Sequence, residues 1–228
     1  MTGAGRGIGR AVAIALGSAG AAVTLVARSQ AELESAAEEV RRAGGRALVH
    51  AGDLTSADTC RSSVEAAVQA HGGLQILVNN AGVGLRAPLA ETSDSDWDRT
   101  IATNLTAVFR LTRAALPALT ARGGHIFMIS SLAGSNPIAG MSAYCATKAA
   151  LDHLAACLML EVRQQGVKVT TIAPGSVDTS FGGGPAADTS WMLQSEDVAQ
   201  TILELLAMRD EAHSSRVEMR PARPQKRG

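Results

Sequence analysis

Met1-Thr2-Gly3-Ala4-Gly5-Arg6-Gly7-Ile8-Gly9-Arg10, running straight into the uncharged Ala11–Leu16, is the stretch whose reading decides the fold. Glycines at this density let the backbone turn tightly and approach a pyrophosphate, which the N–H groups opening a following helix can bind. The same composition also suits a flexible tail, so the surroundings must decide. A dinucleotide-binding turn follows a β-strand, yet only Met1 and Thr2 precede Gly3. In a doubly wound sheet that strand is central, and its loss would leave backbone groups unpaired inside the fold. The expectation is that residue 1 is internal, with about five to ten apolar residues ahead of it in the working protein.

Outward from the turn, strand and helix signals alternate. Ala21–Ala27 is an apolar run that reads as a buried strand ending at Arg28. Ser29 with Glu32 forms a capping-box pattern for a helix to about Ala43, closed by Gly44-Gly45. Ala47–Ala51 is the next strand and runs into Gly52-Asp53-Leu54; Thr55 is read as the cap of a helix to about Ala70. Leu74–Val78 follows as a strand and enters Asn79-Asn80-Ala81-Gly82. Asp94–Leu119 has helical spacing in Trp97, Ile101, Leu105, Val108 and Leu111, with the polar Asn104 inside it. His125–Ile129 is a strand delivering Ser130-Ser131, Ala143–Gln165 a helix, and Val167–Ile172 a strand leading to Pro174-Gly175. Ser195 is read as capping a helix to about Met208, and Ser215–Met219 as a last strand. The alternation predicts an α/β fold, a parallel sheet with helices on both faces. Without a repeat, long linker or second pattern, 1–228 reads as a single domain with a flexible tail from 219. Phe181–Pro185 is expected to be mobile, and a short, Gly-rich 176–194 suggests an open site.

Bulk properties narrow the function. Lys+Arg and Asp+Glu are both 21, so no basic field points to nucleic acid, and aromatics at 3% offer few stacking surfaces. Cys60, Cys145 and Cys157 show no metal-ligand spacing, and an odd count without a framework suits a reducing, cytoplasmic compartment. No metal is expected. Arg6 and Arg10 ahead of the uncharged Ala11–Ala27 resemble an export signal, but cleavage there would remove the glycine turn. No run reaches the ~20 strongly apolar residues of a membrane span.

Chemistry concentrates at Ser131 and at Tyr144-Cys-Ala-Thr-Lys148. On one helix, Tyr144 and Lys148 share a face one turn apart. A phenol titrates near ~10, and an adjacent ammonium is expected to bring it toward physiological pH. The bland alternative is an ordinary half-buried tyrosine beside a solvated lysine. Cys145 points to another helix face and reads as packing; His71, His125 and His153 lack paired spacing and read as structural.

Thr2-Gly3-x-x-x-Gly7-Ile8-Gly9, Asp53-Leu54, Asn79-Asn80-Ala81-Gly82, Asn104, Ser131, Tyr144-x-x-x-Lys148 and Pro174-Gly175-x-Val177-x-Thr179, in this order, resemble the short-chain dehydrogenase/reductase family. The resemblance runs from residue 2 to about 208 and implies a Rossmann-type sheet in three layers, holding a nicotinamide dinucleotide. It implies that Tyr144 exchanges a proton with a carbonyl or alcohol oxygen, and that Lys148 stabilises the phenolate and bonds the nicotinamide ribose. Ser131 would bond the substrate oxygen, and Asn104 would hold a water linking Lys148 to solvent. Gly3, Arg6, Gly7, Ile8 and Gly9 would cradle the pyrophosphate. Asp53 and Leu54 would line the adenine pocket, with Asn80, Ala81 and Gly82 on the adenosine side. Pro174, Gly175, Val177 and Thr179 would meet the nicotinamide end. An acid after the second strand would favour NAD(H); here Arg28 and Ser29 stand there, with Arg6 in the turn. Two guanidiniums favour a 2′-phosphate, so NADP(H) is the expected cofactor.

The resulting expectation is an NADP(H)-dependent reductase or dehydrogenase of a small carbonyl or alcohol, a homodimer or homotetramer. The 3-oxoacyl carrier-protein reductase subgroup is the first candidate, although the Pro/Arg-rich end from Arg220 does not match that subgroup's ending. A non-catalytic NADP(H)-binding sensor or scaffold is the alternative. An epimerase or dehydratase is disfavoured for want of an added substrate domain.

Overall fold

In the computed structural model, described for residues 1–181 and 188–223, strands and helices alternate as the sequence predicts. The strands are β1 (Ala22–Ala27), β2 (Arg46–Ala51), β3 (Ile76–Asn79), β4 (Gly124–Ile129), β5 (Val167–Pro174) and β6 (Arg216–Met219). The helices are α1 (Gly7–Ser18), α2 (Gln30–Arg42), α3 (Ala57–His71), α4 (Asp94–Ile101), α5 (Ala107–Thr120), α6 (Ser142–Val162) and α7 (Ser195–Leu206). All strand pairs are parallel, in two ladders, β1–β2 and β3–β4–β5–β6.

Period-two alternation divides the strand side chains between two apolar cores. Phe127, Ile129 and Ile172 join Val23 and Leu25 under α1, α2 and α7, against Val12, Leu16, Leu33, Val40 and Ile202. Ile126, Met128 and Val169 point the other way, against Leu111 of α5 and Leu151 and Leu158 of α6. This is the expected three-layer arrangement.

The first segment of the chain runs between the two ladders. Met1–Ala4 is the backbone found there: the Val26 N–H donates to the Met1 carbonyl (2.9 Å), and the Thr2 N–H donates to Val78 (3.1 Å). Beyond Met1 a cavity of about 310 Å³ continues between β1 and β3, lined by residues including Ala22, Thr24, Ile76 and Leu77. Thr2 is the main stitch. Its buried hydroxyl donates to the Val78 carbonyl and accepts from the N–H groups of Asn80 (2.9 Å) and Ala81 (3.1 Å).

Four local expectations are corrected. Thr55 does not cap α3; Ser56 does, because Asp53 Oδ1 takes the Thr55 N–H and hydroxyl, both at 2.9 Å, in a local turn. Gln194, not Ser195, caps α7, in a reciprocal box with Asp197. The 94–119 helix is broken by a π turn at Ala102–Thr106, and the 143–165 helix ends in a 3₁₀ turn at Arg163–Gln165. Gly182–Pro185 of the stretch expected to be mobile, and 224–228 of the tail, lie outside the described residues.

Candidate active site

The expected site residues follow the strands, as Arg28, Asp53, Asn80, Ser131 and Gly175 do, or lie on helical segments, as Gly7, Asn104, Tyr144 and Lys148 do. The glycine turn enters α1 with Gly3 and Gly7 at φ +61° and +53°, a conformation that glycine adopts without strain. A Cβ on Gly9 would collide with the Gly3 carbonyl oxygen, and one on Gly3 would lie 2.8 Å from the Asn80 amide nitrogen. The turn is closed tightly on itself. Asn80 holds it there, its amide donating to the Thr2 carbonyl (3.0 Å) and the Gly3 carbonyl (3.4 Å). Ile8 is half-buried behind the turn, and Gly82 packs 3.3 Å from Asn104 Oδ1 at its Cβ position.

Arg6 and Arg28 are both exposed, and among the described residues neither guanidinium has a hydrogen-bond or ion-pair partner. Ser29 is occupied as the cap of α2, accepting from the Glu32 N–H at 3.3 Å. Asp53 is held below the usual carboxylate range, first by the Thr55 N–H and last by the nearby Arg28. Leu54 is buried in the α3-side core.

Asn104 sits in the π turn, an irregularity often found at functional sites. It is buried, its oxygen accepting from the Val83 N–H (2.8 Å) and its amide donating to the Val83 carbonyl (2.9 Å) and Thr147 Oγ1 (3.1 Å). Both amide hydrogens are therefore spent inside the protein, so the expected grip on a water does not come from them. Instead the side chain pins the loop after β3 to α6, one residue before Lys148.

Ser131 opens a 3₁₀ turn at Leu132–Gly134, accepting from the Ala133 N–H at 3.1 Å and facing the Pro174 carbonyl at 3.5 Å. Gly175 continues from there, its N–H donating to Met219 of β6 at 2.8 Å. Val177 bridges to Leu193, and the Thr179 methyl lies 3.3 Å from the Cβ position of Gly7. Thr179 Oγ1 also accepts from the N–H of Phe181, whose ring lies over Tyr144, and so links the glycine turn to the tyrosine.

Tyr144 and Lys148 lie in the first two turns of α6, both buried. Burial pushes the Tyr144 phenol above its ordinary value, with the neighbouring Ser131 hydroxyl acting in the opposite sense. The sequence reading expected the reverse, a phenol brought down by its lysine. The geometry explains the difference: the Lys148 ammonium donates to the Ile129 carbonyl at 2.8 Å and sits 5.6 Å over the Tyr144 ring. Burial also lowers Lys148, to about 8, with Asp152 opposing. Phe181 lies tilted over the tyrosine, ring centroids 5.7 Å apart, against Gly84. The described part of the cleft is therefore covered at Tyr144 rather than open.

Residues 1–188 match the family model described as short chain dehydrogenase. This chain belongs to that family. Over 180 residues it is 39% identical to 2,5-dichloro-2,5-cyclohexadiene-1,4-diol dehydrogenase LinX of Sphingobium indicum, covering 78% of this chain and 72% of that one. It is 37% identical over 183 residues to the probable oxidoreductase EphD of Mycobacterium tuberculosis; the match covers 79% of this chain but only 31% of that longer protein. Among solved structures, an alcohol dehydrogenase of Thermococcus sibiricus in complex with 5-hydroxy-NADP superposes with a TM-score of 0.92 at 30% identity, covering 99% and 97% of the two chains. A metagenomic short-chain oxidoreductase in complex with NADP gives 0.86 at 39% identity, covering 98% and 96%. The proteins that the chain resembles are dehydrogenases and oxidoreductases, and both of these similar structures hold a nicotinamide cofactor.

The residues of this short-chain dehydrogenase fit such a cofactor. Gly3, Gly7 and Gly9 leave a turn without side chains at the N-terminus of α1, and Thr179 borders it toward Tyr144. Among the described residues no cluster of His, Cys, Asp or Glu could hold a metal ion, and no helix is long and apolar enough to cross a membrane. Thr2 and Thr147 were not singled out as site residues. Thr2 stood in the family pattern without a role of its own, and the only sign of Thr147 was its place beside Lys148.

Proposed function

We propose that this protein is an NADP(H)-dependent oxidoreductase interconverting a ketone and a secondary alcohol on a small molecule, with Tyr144 as proton donor and acceptor. The observation that carries the proposal is the grouping of Ser131, Tyr144 and Lys148, joined through Phe181 to Thr179, whose methyl packs on Gly7 of the glycine turn. The bound nicotinamide supplies hydride in reduction and accepts it in oxidation. Gly3, Arg6, Gly7, Ile8 and Gly9 bind the pyrophosphate side, Asp53, Leu54, Asn80, Ala81 and Gly82 the adenosine side, and Pro174, Gly175, Val177 and Thr179 the nicotinamide side. Ser131 orients the substrate oxygen. As negative charge develops on that oxygen, the Tyr144 O–H bond breaks and its proton passes to it. In oxidation the phenolate takes the proton back. A phenol raised by burial is fully protonated at neutral pH, which suits the reducing direction. Lys148 is the cation that favours the phenolate after the proton has left, and Asn104 keeps the loop after β3 and the start of α6 in place. Positioned proton transfer of this kind contributes about 10²–10⁴-fold in rate.

NADP(H) is preferred over NAD(H) because Arg6, in the glycine turn, and Arg28, just after β1, are exposed, and among the described residues neither guanidinium has a partner. The NADP and 5-hydroxy-NADP complexes of the two similar structures support the same choice. Residues 1–228 form one domain. Exposed Phe109 on α5 and Leu160 on α6 suit a homodimer or homotetramer, and the absence of a cysteine framework suits the cytoplasm.

The test is loss of NADPH absorbance with a panel of ketones that includes a 3-oxoacyl thioester, a steroid and small aryl ketones. Turnover of at least one, faster with NADPH than NADH, is expected. Tight NADPH binding with no turnover across the panel would favour the sensor alternative.

A further inference from the structure

We propose that Asp152 and Arg216 are positioning residues for this reaction, clamping the turn that carries Ser131 onto the helix face that carries Tyr144 and Lys148. The inference rests on the catalytic reading above. Tyr144, Lys148 and Asp152 recur every four residues along α6 and so share one face. Asp152 Oδ2 accepts from Arg216 Nη1 at 2.8 Å, in an ion pair whose side chains are 12% and 35% exposed. The second arm of the same guanidinium, Nη2, donates to Ser135 Oγ at 2.8 Å and to Glu218 at 3.2 Å. Ser135 is the residue that ends the 3₁₀ turn opened by Ser131. One fork therefore spans the helix and the turn.

The turn has no freedom to sit elsewhere while the fork holds. A Cβ on Gly134 would lie 2.8 Å from Asp152 Oδ2 and 3.2 Å from the Lys148 carbonyl, so Gly134 is seated flush on α6 between the two residues. Ser130 Oγ also donates to the Lys148 carbonyl, at 3.4 Å. Arg216 enters from β6, which pairs with β5 at Thr171, and Glu218 holds it from behind while itself accepting from Arg220 at 2.8 Å. The last strand thus acts on the site from a distance of 64 residues in sequence.

Asp152 has a second consequence. Among the described residues its buried Oδ1 has no hydrogen-bond partner, and its charge opposes the desolvation that lowers Lys148. The groups facing Lys148 are Tyr144 and Asp152 on its own helix, the Ile129 carbonyl from β4, and Asn104 through Thr147. Arg216, Glu218 and Arg220 approach only through Asp152. Among these, Asp152 is the anion whose charge favours the ammonium form against the burial that lowers it.

The test compares Asp152→Asn, Arg216→Gln, Arg216→Lys and Ser135→Ala with the parent protein in kcat, KM, pH profile, NADPH affinity by fluorescence and Tm. Arg216→Gln is expected to lower kcat about ten- to hundredfold through displacement of Ser131, with NADPH affinity unchanged. Arg216→Lys, which keeps the charge and loses the fork, should recover part of that loss. Ser135→Ala, an exposed and mild change, should lower kcat with Tm unchanged. Asp152→Asn should move the basic limb of ketone reduction to lower pH by about one unit, since Lys148 loses its counter-charge. Variants that lower Tm but keep kcat and the pH limb of the parent would overturn the proposal, leaving a structural ion pair. So would full activity in Ser135→Ala together with Arg216→Gln. A parent protein without turnover on any ketone would instead defeat the catalytic reading, with NADPH affinity still reporting an intact fold.

Discussion

The ladder β3–β4–β5–β6 and the ladder β1–β2 meet at the glycine turn, and they are joined to the site in different ways. β4 and β5 are paired on both edges, and they deliver Ser131 and Pro174 into a site whose tyrosine is already buried and whose lysine and asparagine are buried and bonded. β1 and β2 carry Arg28 and Asp53 on an exposed rim; they share apolar core with the other ladder, and among the described residues their backbone is joined to it through Met1–Ala4, beside a cavity of about 310 Å³. Proton transfer needs groups held in place before substrate arrives, and a dense, paired frame provides that. Recognition of a charged cofactor end needs accessible cations, and an open rim suffices. The seam between the ladders depends on a few residues, so the largest effects away from the tyrosine are expected there.

The first way to break the seam is Gly9→Val. Its side chain would strike the Gly3 carbonyl and the Asn80 amide, and the expected result is loss of NADPH binding with at least about 3 kcal/mol of destabilisation in denaturant titration. Thr2→Val keeps the shape and removes the hydroxyl. It leaves the Asn80 and Ala81 N–H groups without their acceptor, for an expected loss of about 2–4 kcal/mol in the same titration.

The paired ladder has its own pH signature. His125 is stacked on Phe127 and bonded to Thr170, whose hydroxyl donates to Ser214. Burial, reinforced by His213 and Lys168, brings His125 down to about 3. The unfolded chain takes up a proton near ~6.5 that the folded chain refuses. Stability from this group is thus complete above ~6.5 and drains away as pH falls toward 3. His125→Gln should flatten the fall of Tm across that window. On the open rim the effect is smaller: Arg28→Asp should cut the NADPH/NADH ratio of kcat/KM about tenfold, the value of one charge-assisted contact, with Tm unchanged.

Much of this was legible in the chain because local patterns govern it. Apolar runs such as Ala21–Ala27 and Val167–Ile172 mark buried parallel strands, and Tyr144 and Lys148 need only helical spacing to share a face. What was not legible depends on contacts across the fold. Thr55 looked like a cap until Asp53, two residues earlier, claimed it. The direction of the Tyr144 shift turned on burial and on a lysine drawn to Ile129, and neither has a spacing signal. Asn104 stood out as a polar residue in a helix, but its partners, Val83 and Thr147, come from two other segments. The bridge from Arg216 to Asp152 joins a terminal strand to the middle of a helix, where sequence offers no pattern at all.

The central claim is that Tyr144 moves the proton within a preformed site, and single-turnover reduction of a ketone by NADPH-saturated Tyr144→Phe tests it most directly. The account predicts NADPH affinity within a factor of about two of the parent and a rate at least about 10³-fold lower. A rate within tenfold of the parent would contradict it.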